Sequence, residues 1–131
     1  MAVRIVRLGT ARHAKEGLRL GTVRHPPRGV RKEDYARRDF FDVWLPELAP
    51  SEPLLRWARS EPLSPKLWKT FEQRYKREMR ESPAQHLLAL LTALSAEADF
   101  SVGCYCEDES HCHRSLLKTL LAEQGAKLAK A

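Results

Sequence analysis

A chain of 131 residues, 43% of them hydrophobic, holds enough apolar material for one compact core and little for a second, so a single domain is expected. No apolar run reaches the roughly 20 residues needed to cross a bilayer. Met1 to Leu8 breaks its apolar residues with Arg4 and Arg7, so no signal peptide or membrane partner is expected and the cytoplasm is the expected compartment. A net charge of +6 favours anionic partners without naming one, and most of it falls between Arg19 and Arg38, where seven basic residues meet Glu33 and Asp34.

Val3, Ile5 and Leu8 read as a first strand, and Leu18, Leu20 and Val23, after the break at Gly17, as a second. His25-Pro26-Pro27-Arg28-Gly29 must leave that strand, because consecutive prolines lack donors and fix φ; a structured basic loop follows. Asp39 to Leu48 is bulky and β-prone but ends at Pro46, and is expected to be an irregular, partly buried connection.

Ser51-Glu52-Pro53 opens a short helix carrying Leu54, Leu55 and Trp57 that stops near Ser60. Ser64-Pro65 repeats the opening. Leu67, Trp68, Phe71, Tyr75 and Met79 then recur at helical spacing, which predicts the longest amphipathic helix and marks these aromatics as core, not as a platform for stacking bases. A third helix follows Ser82-Pro83 with a capping box from Ser82 to Gln85, and its leucines suit packing against the sheet.

Phe100 to Cys106 reads as a strand, with Phe100, Val102, Cys104 and Cys106 on one side, and Glu107 to Ser110 as a turn. A last helix is predicted from about Ser110, its N-cap, to Gln124, with Gly125 as its stop and 127–131 as a frayed tail. Strands separated by helices predict an α/β fold with a small, mainly parallel sheet flanked by helices.

The candidate site is the strand-to-helix turn from Cys104 to Arg114. With Ser110 as N-cap, Cys112 falls in the first helical turn, where the helix dipole lowers a thiol pKa, and His113 and Glu107 can move protons. Arg114 can hold a phosphate or carboxylate with two parallel hydrogen bonds, and Arg24, Arg28 and Gly29 can add an anion-binding loop. The bland alternative makes Cys112 and His113 part of the buried stripe of Leu116 and Leu117, and leaves the loop as solvated surface.

Cys104, Cys106, His111 and Cys112 are also enough soft ligands for zinc, although zinc sites commonly present two ligand pairs from separate segments. Three cysteines in one stretch fit reduced thiols or metal ligands better than a secreted disulfide framework.

The order Arg24, Pro27-Arg28-Gly29, Trp44, Pro50-Ser51, Leu54, Trp57, then Trp68, Phe71 and Tyr75, and finally Cys106-Glu107 and Cys112-His113-Arg114, resembles the YeaO-like family, domain of unknown function 488. The resemblance covers nearly the whole chain. It implies a compact α/β fold in which the arginine loop and the Cys-His-Arg turn act together, and it supplies no reaction. Where members of that family often carry an acidic residue before the first arginine and an aromatic one before Pro-Arg-Gly, this chain has Val23 and Pro26.

Three functions remain open on sequence alone: an enzyme or binding domain for a small phosphorylated or carboxylated molecule, with Cys112 as its reactive group; a nucleic-acid-binding module; and a zinc-stabilised structural or regulatory protein. No nucleic-acid-binding signature accompanies the charge.

Overall fold

Four parallel strands carry the fold in a computed structural model that describes residues 1–130: β1 (Val3–Arg7), β2 (Leu18–Gly21), β3 (Val43–Trp44) and β4 (Phe100–Cys104). Their spatial order is β1-β4-β2-β3, so the last strand in sequence inserts between the first two. Val3 pairs with Phe100 and Leu18 also pairs with Phe100, which brings the carboxyl ends of β1, β4 and β2 to one level. The segment expected to be irregular contains β3, a two-residue edge strand paired to Leu20 and Gly21.

The four helices are α1 (Glu52–Arg59), α2 (Pro65–Met79), α3 (Ala84–Leu94) and α4 (His113–Glu123). Ser51 and Ser64 cap the first two, accepting from Leu54 N at 3.3 Å and Leu67 N at 3.1 Å. The predicted capping box of α3 does not form. Pro83 is the residue that precedes this helix, so Ser82 stands one position too early to reach its free amides, and its Oγ lies instead beside His86 Nδ1 at 3.4 Å. Nor does α3 lie flat on the sheet: it packs on α2 and α4 and leaves Leu90 59% exposed.

Residues from all four helices join Val3, Leu20, Phe100 and Val102 of the sheet in one buried cluster. Leu117 and Leu121 are fully buried there, each contributing about 1.5–3 kcal/mol of transfer free energy. Phe71 and Tyr75, stacked with centroids 6.4 Å apart, belong to that core as their spacing predicted.

The opposite face has no helix over it. Phe41 covers Gly21 so closely that a Cβ at Gly21 would stand 2.3 Å from its ring, and Leu8 covers Gly103. Beside them Arg19 and Glu16, 0% and 2% exposed, form a buried ion pair with N–O distances of 2.6 and 2.9 Å. Ser101 donates to the same carboxylate at 3.0 Å, and Arg19 Nη1 donates to the carbonyls of Thr10 and Asp39. Arg19 was counted in the basic stretch, but its charge is used internally. Burial alone would raise the Glu16 carboxyl; the Arg19 guanidinium and Ser101 hydroxyl outweigh it and hold the group below its ordinary value.

Two terminal expectations need correction. The tail is not frayed through residue 130: Val3 donates to Lys127 O and accepts from Ala129 N, both at 2.8 Å, so the segment runs along the free side of β1. Ala131 lies outside the described residues. The last helix begins at His113, not Ser110. Asp108 accepts from Ser110 N at 3.1 Å and Ser110 Oγ at 2.6 Å, and this local competition winds Glu109–His111 into a short 3-10 turn. Cys112, in extended conformation, is left as the N-cap. Among the described residues no helix is long and apolar enough to cross a membrane.

Candidate functional site

Ligands in open α/β sheets bind beyond the carboxyl ends of the strands, and here the chains leaving β2 and β4 enclose a cleft at that position. Thr22 ties the two strand ends together, donating from N and Oγ1 to the Gly103 carbonyl at 3.0 and 2.9 Å. Arg24 and His25 follow on one side, Tyr105 and Cys106 on the other. Two adjoining hollows of about 290 and about 470 Å³ share His25, Arg59 and Tyr105. The smaller one reaches Cys104, Cys106 and His113, and the larger one extends past Arg28 and Phe40.

The three sulfurs converge, with Cys104, Cys106 and Cys112 Sγ all within 4.8 Å of one another and Cys104 to Cys106 at 3.5 Å. Cys104 and Cys112 are buried, packed with Leu8, Val23 and Phe41, whereas Cys106 is exposed. Hydrogen bonding from Cys104 and Cys112, then the nearby Arg114 guanidinium, pulls the Cys106 thiol well down, and donating to Cys106 pushes Cys104 up. Cys112 is driven up as well, by its bonds to the other two thiols and by burial. The expected depression of Cys112 by a helix dipole is therefore reversed: the residue is 2% exposed and caps the helix from outside its first turn.

His113 is 7% exposed and stands beneath the cysteines. Its Nε2 lies 2.5 Å from the Thr22 carbonyl, so Nε2 carries the proton and Nδ1, 3.9 Å from Cys112 Sγ, is bare. Burial, against the opposing pull of that carbonyl, brings the imidazole down to about 4 and keeps it neutral near pH 7.

Arg114 is 5% exposed, donates Nη2 to the Cys106 carbonyl at 2.9 Å, and leaves Nε buried without a partner. Arg24 is likewise held by carbonyls, those of Pro50 and Ala49 at 3.0 and 3.1 Å. The other expected residues lie apart. Glu107 points outward, 85% exposed, with its carboxylate 3.4 Å from Arg7. His111 pairs with Asp108 at 2.7 Å and sets its ring against Trp68, outside the sulfur cluster. Gly29 adopts φ +72°, and open space surrounds its Cα; it serves the turn and no close approach.

Sequence reasoning missed Arg59 and Tyr105. Arg59 is one of two basic residues in the last turn of α1, an ordinary place for a cation, and only the parallel packing turns it toward the cleft. Tyr105 alternates with Cys104 and Cys106, which predicts the opposite side of a strand. Because β4 ends at Cys104, its hydroxyl instead reaches the His25 carbonyl at 3.0 Å.

No curated protein and no solved structure matches the chain. The family model DUF488-N3a, described as the active DUF488-N3 subclade, matches residues 3–125, nearly the whole chain, as the order of arginines, tryptophans and cysteines had suggested. The chain therefore belongs to the domain of unknown function 488 family, in its DUF488-N3a subclade.

Proposed function

We propose that the chain binds a small anionic molecule, phosphorylated or carboxylated, in the cleft between the loops after β2 and β4. One observation carries the reading: Arg28 and Arg59 are both exposed, both line this cleft, and among the described residues neither forms an ion pair. A guanidinium presents a planar fork that suits phosphate and carboxylate oxygens. Arg24 and Arg114, fixed on carbonyls, add positive potential from behind. Cys106, not buried Cys112, is the sulfur that faces the ligand. Neutral His113, at the base of the smaller hollow, positions Cys112 through its ring.

A nucleic acid finds less support, because three of the seven basic residues between Arg19 and Arg38 are paired locally, as is Arg12 just before them. Arg19 is buried on Glu16, Arg31 and Arg37 share Asp34, and Arg12 holds Asp42.

Thermal unfolding in the presence of inorganic phosphate, sugar phosphates, nucleotides and dicarboxylates tests the proposal. A ligand at 100 times its Kd stabilises the native state by about 2.7 kcal/mol, a shift of several degrees for a chain of this size. Arg59→Ala and Arg28→Ala should remove most of it. Stabilisation by none of these compounds, or equal stabilisation of both variants, would sink the reading.

A further inference from the structure

We propose that Cys104, Cys106 and Cys112 bind a zinc ion through three sulfurs, with the fourth coordination position opening into the cleft. Zinc takes thiolates at about 2.3 Å in a tetrahedron, which sets neighbouring sulfurs about 3.8 Å apart. The three sulfurs, all within 4.8 Å of one another, need only small side-chain rotations to reach that spacing. Two buried sulfurs and one exposed sulfur form a cup closed on the protein side and open on the cleft side. His111, expected as a fourth ligand, is committed to Asp108, so the protein supplies three ligands and leaves one position for water or an incoming anion.

An independent observation concerns charge. Arg114 is buried, its Nε has no partner, and among the described residues no carboxylate pairs with it. A buried guanidinium without an anion is costly. Zinc held by three thiolates carries a net charge of −1, beside the carbonyl of Cys106 that Arg114 already holds. Binding is balanced by release of the thiol protons to solvent, with no change of oxidation state.

The three-sulfur site stands without the anion reading; the role of the open position rests on it. Chelator-treated, folded protein should take up one zinc per chain by elemental analysis after dialysis against zinc chloride. Cobalt(II) should give the intense near-ultraviolet sulfur-to-metal absorption of a thiolate site. Cys106→Ser changes an exposed residue and should fold, confirmed by circular dichroism. It should weaken zinc binding by more than the roughly 10–100-fold that losing an outer-shell partner costs. Arg59→Ala should keep the metal while losing the phosphate-induced thermal shift, so the two proposals fail separately. Folded wild-type protein that takes up no zinc, or Cys106→Ser that binds it as tightly, would overturn the site.

Discussion

Arg19 and Arg114 are both withdrawn from water, at 0% and 5% exposure, yet their surroundings are opposite. Arg19 meets a buried carboxylate and two carbonyls, and that carboxylate is itself completed by Ser101. Arg114 has one carbonyl, a bare Nε and three sulfurs nearby. A charge fully answered within the protein stabilises the fold and offers nothing to a visitor. A charge answered in part leaves a positive potential, and here it is directed at the thiols and the cleft behind which it lies.

The sharpest way to break this comparison is to unbalance the complete pair. Glu16→Gln leaves Arg19 buried without its counter-ion and should cost about 3–5 kcal/mol in urea unfolding; a loss below 1 kcal/mol would mean that the pair is not structural. The same carboxylate gives a pH signature. Its folded pKa lies below the unfolded value of about 4.3, so its contribution is complete above that value and fades as pH falls through the folded one. Glu16→Gln should lack this part of the acid-side loss of stability.

A smaller effect is expected at the incomplete site. Arg114→Met, measured in chelator, removes a buried cation that has only one hydrogen bond, and should change stability by about 1.5 kcal/mol or less. A cost equal to that of Glu16→Gln would erase the distinction between the two regions. The smallest belongs to the surface: Arg37, 73% exposed, reaches Asp34 at 2.6 Å, and Arg37→Ala should stay within about 0.5 kcal/mol by the same unfolding assay.

What the sequence made legible was local. Ser51 and Ser64 act through amides three residues away, and the period of Leu67, Phe71 and Tyr75 follows from the helix itself, so both survive whatever packs around them. The small parallel sheet was expected from strands separated by helices, yet α-helices intervene only between β3 and β4, so most of its crossovers run through loops. The site depended on long-range order: Arg59 shares a hollow with Cys106, and Arg28 the adjoining one, because β4 inserts beside β2. Cys112 was misplaced by a contest between neighbours, in which Asp108 claimed the hydroxyl of Ser110 that was expected to start the helix. Spacing correctly gathered Cys104, Cys106 and Cys112, but burial, which decides which sulfur faces solvent, is a property of the assembled core.

The clasp formed by residues 127–129 along β1 has a further consequence. Open strand margins are templates on which other chains add themselves. On one side of this sheet an intruding strand would first have to peel away the C-terminal segment, bonded twice to Val3; on the other it would find β3, only two residues long. The sheet thus has little margin from which a fibril could grow, and its exposed chemistry is gathered at the strand ends.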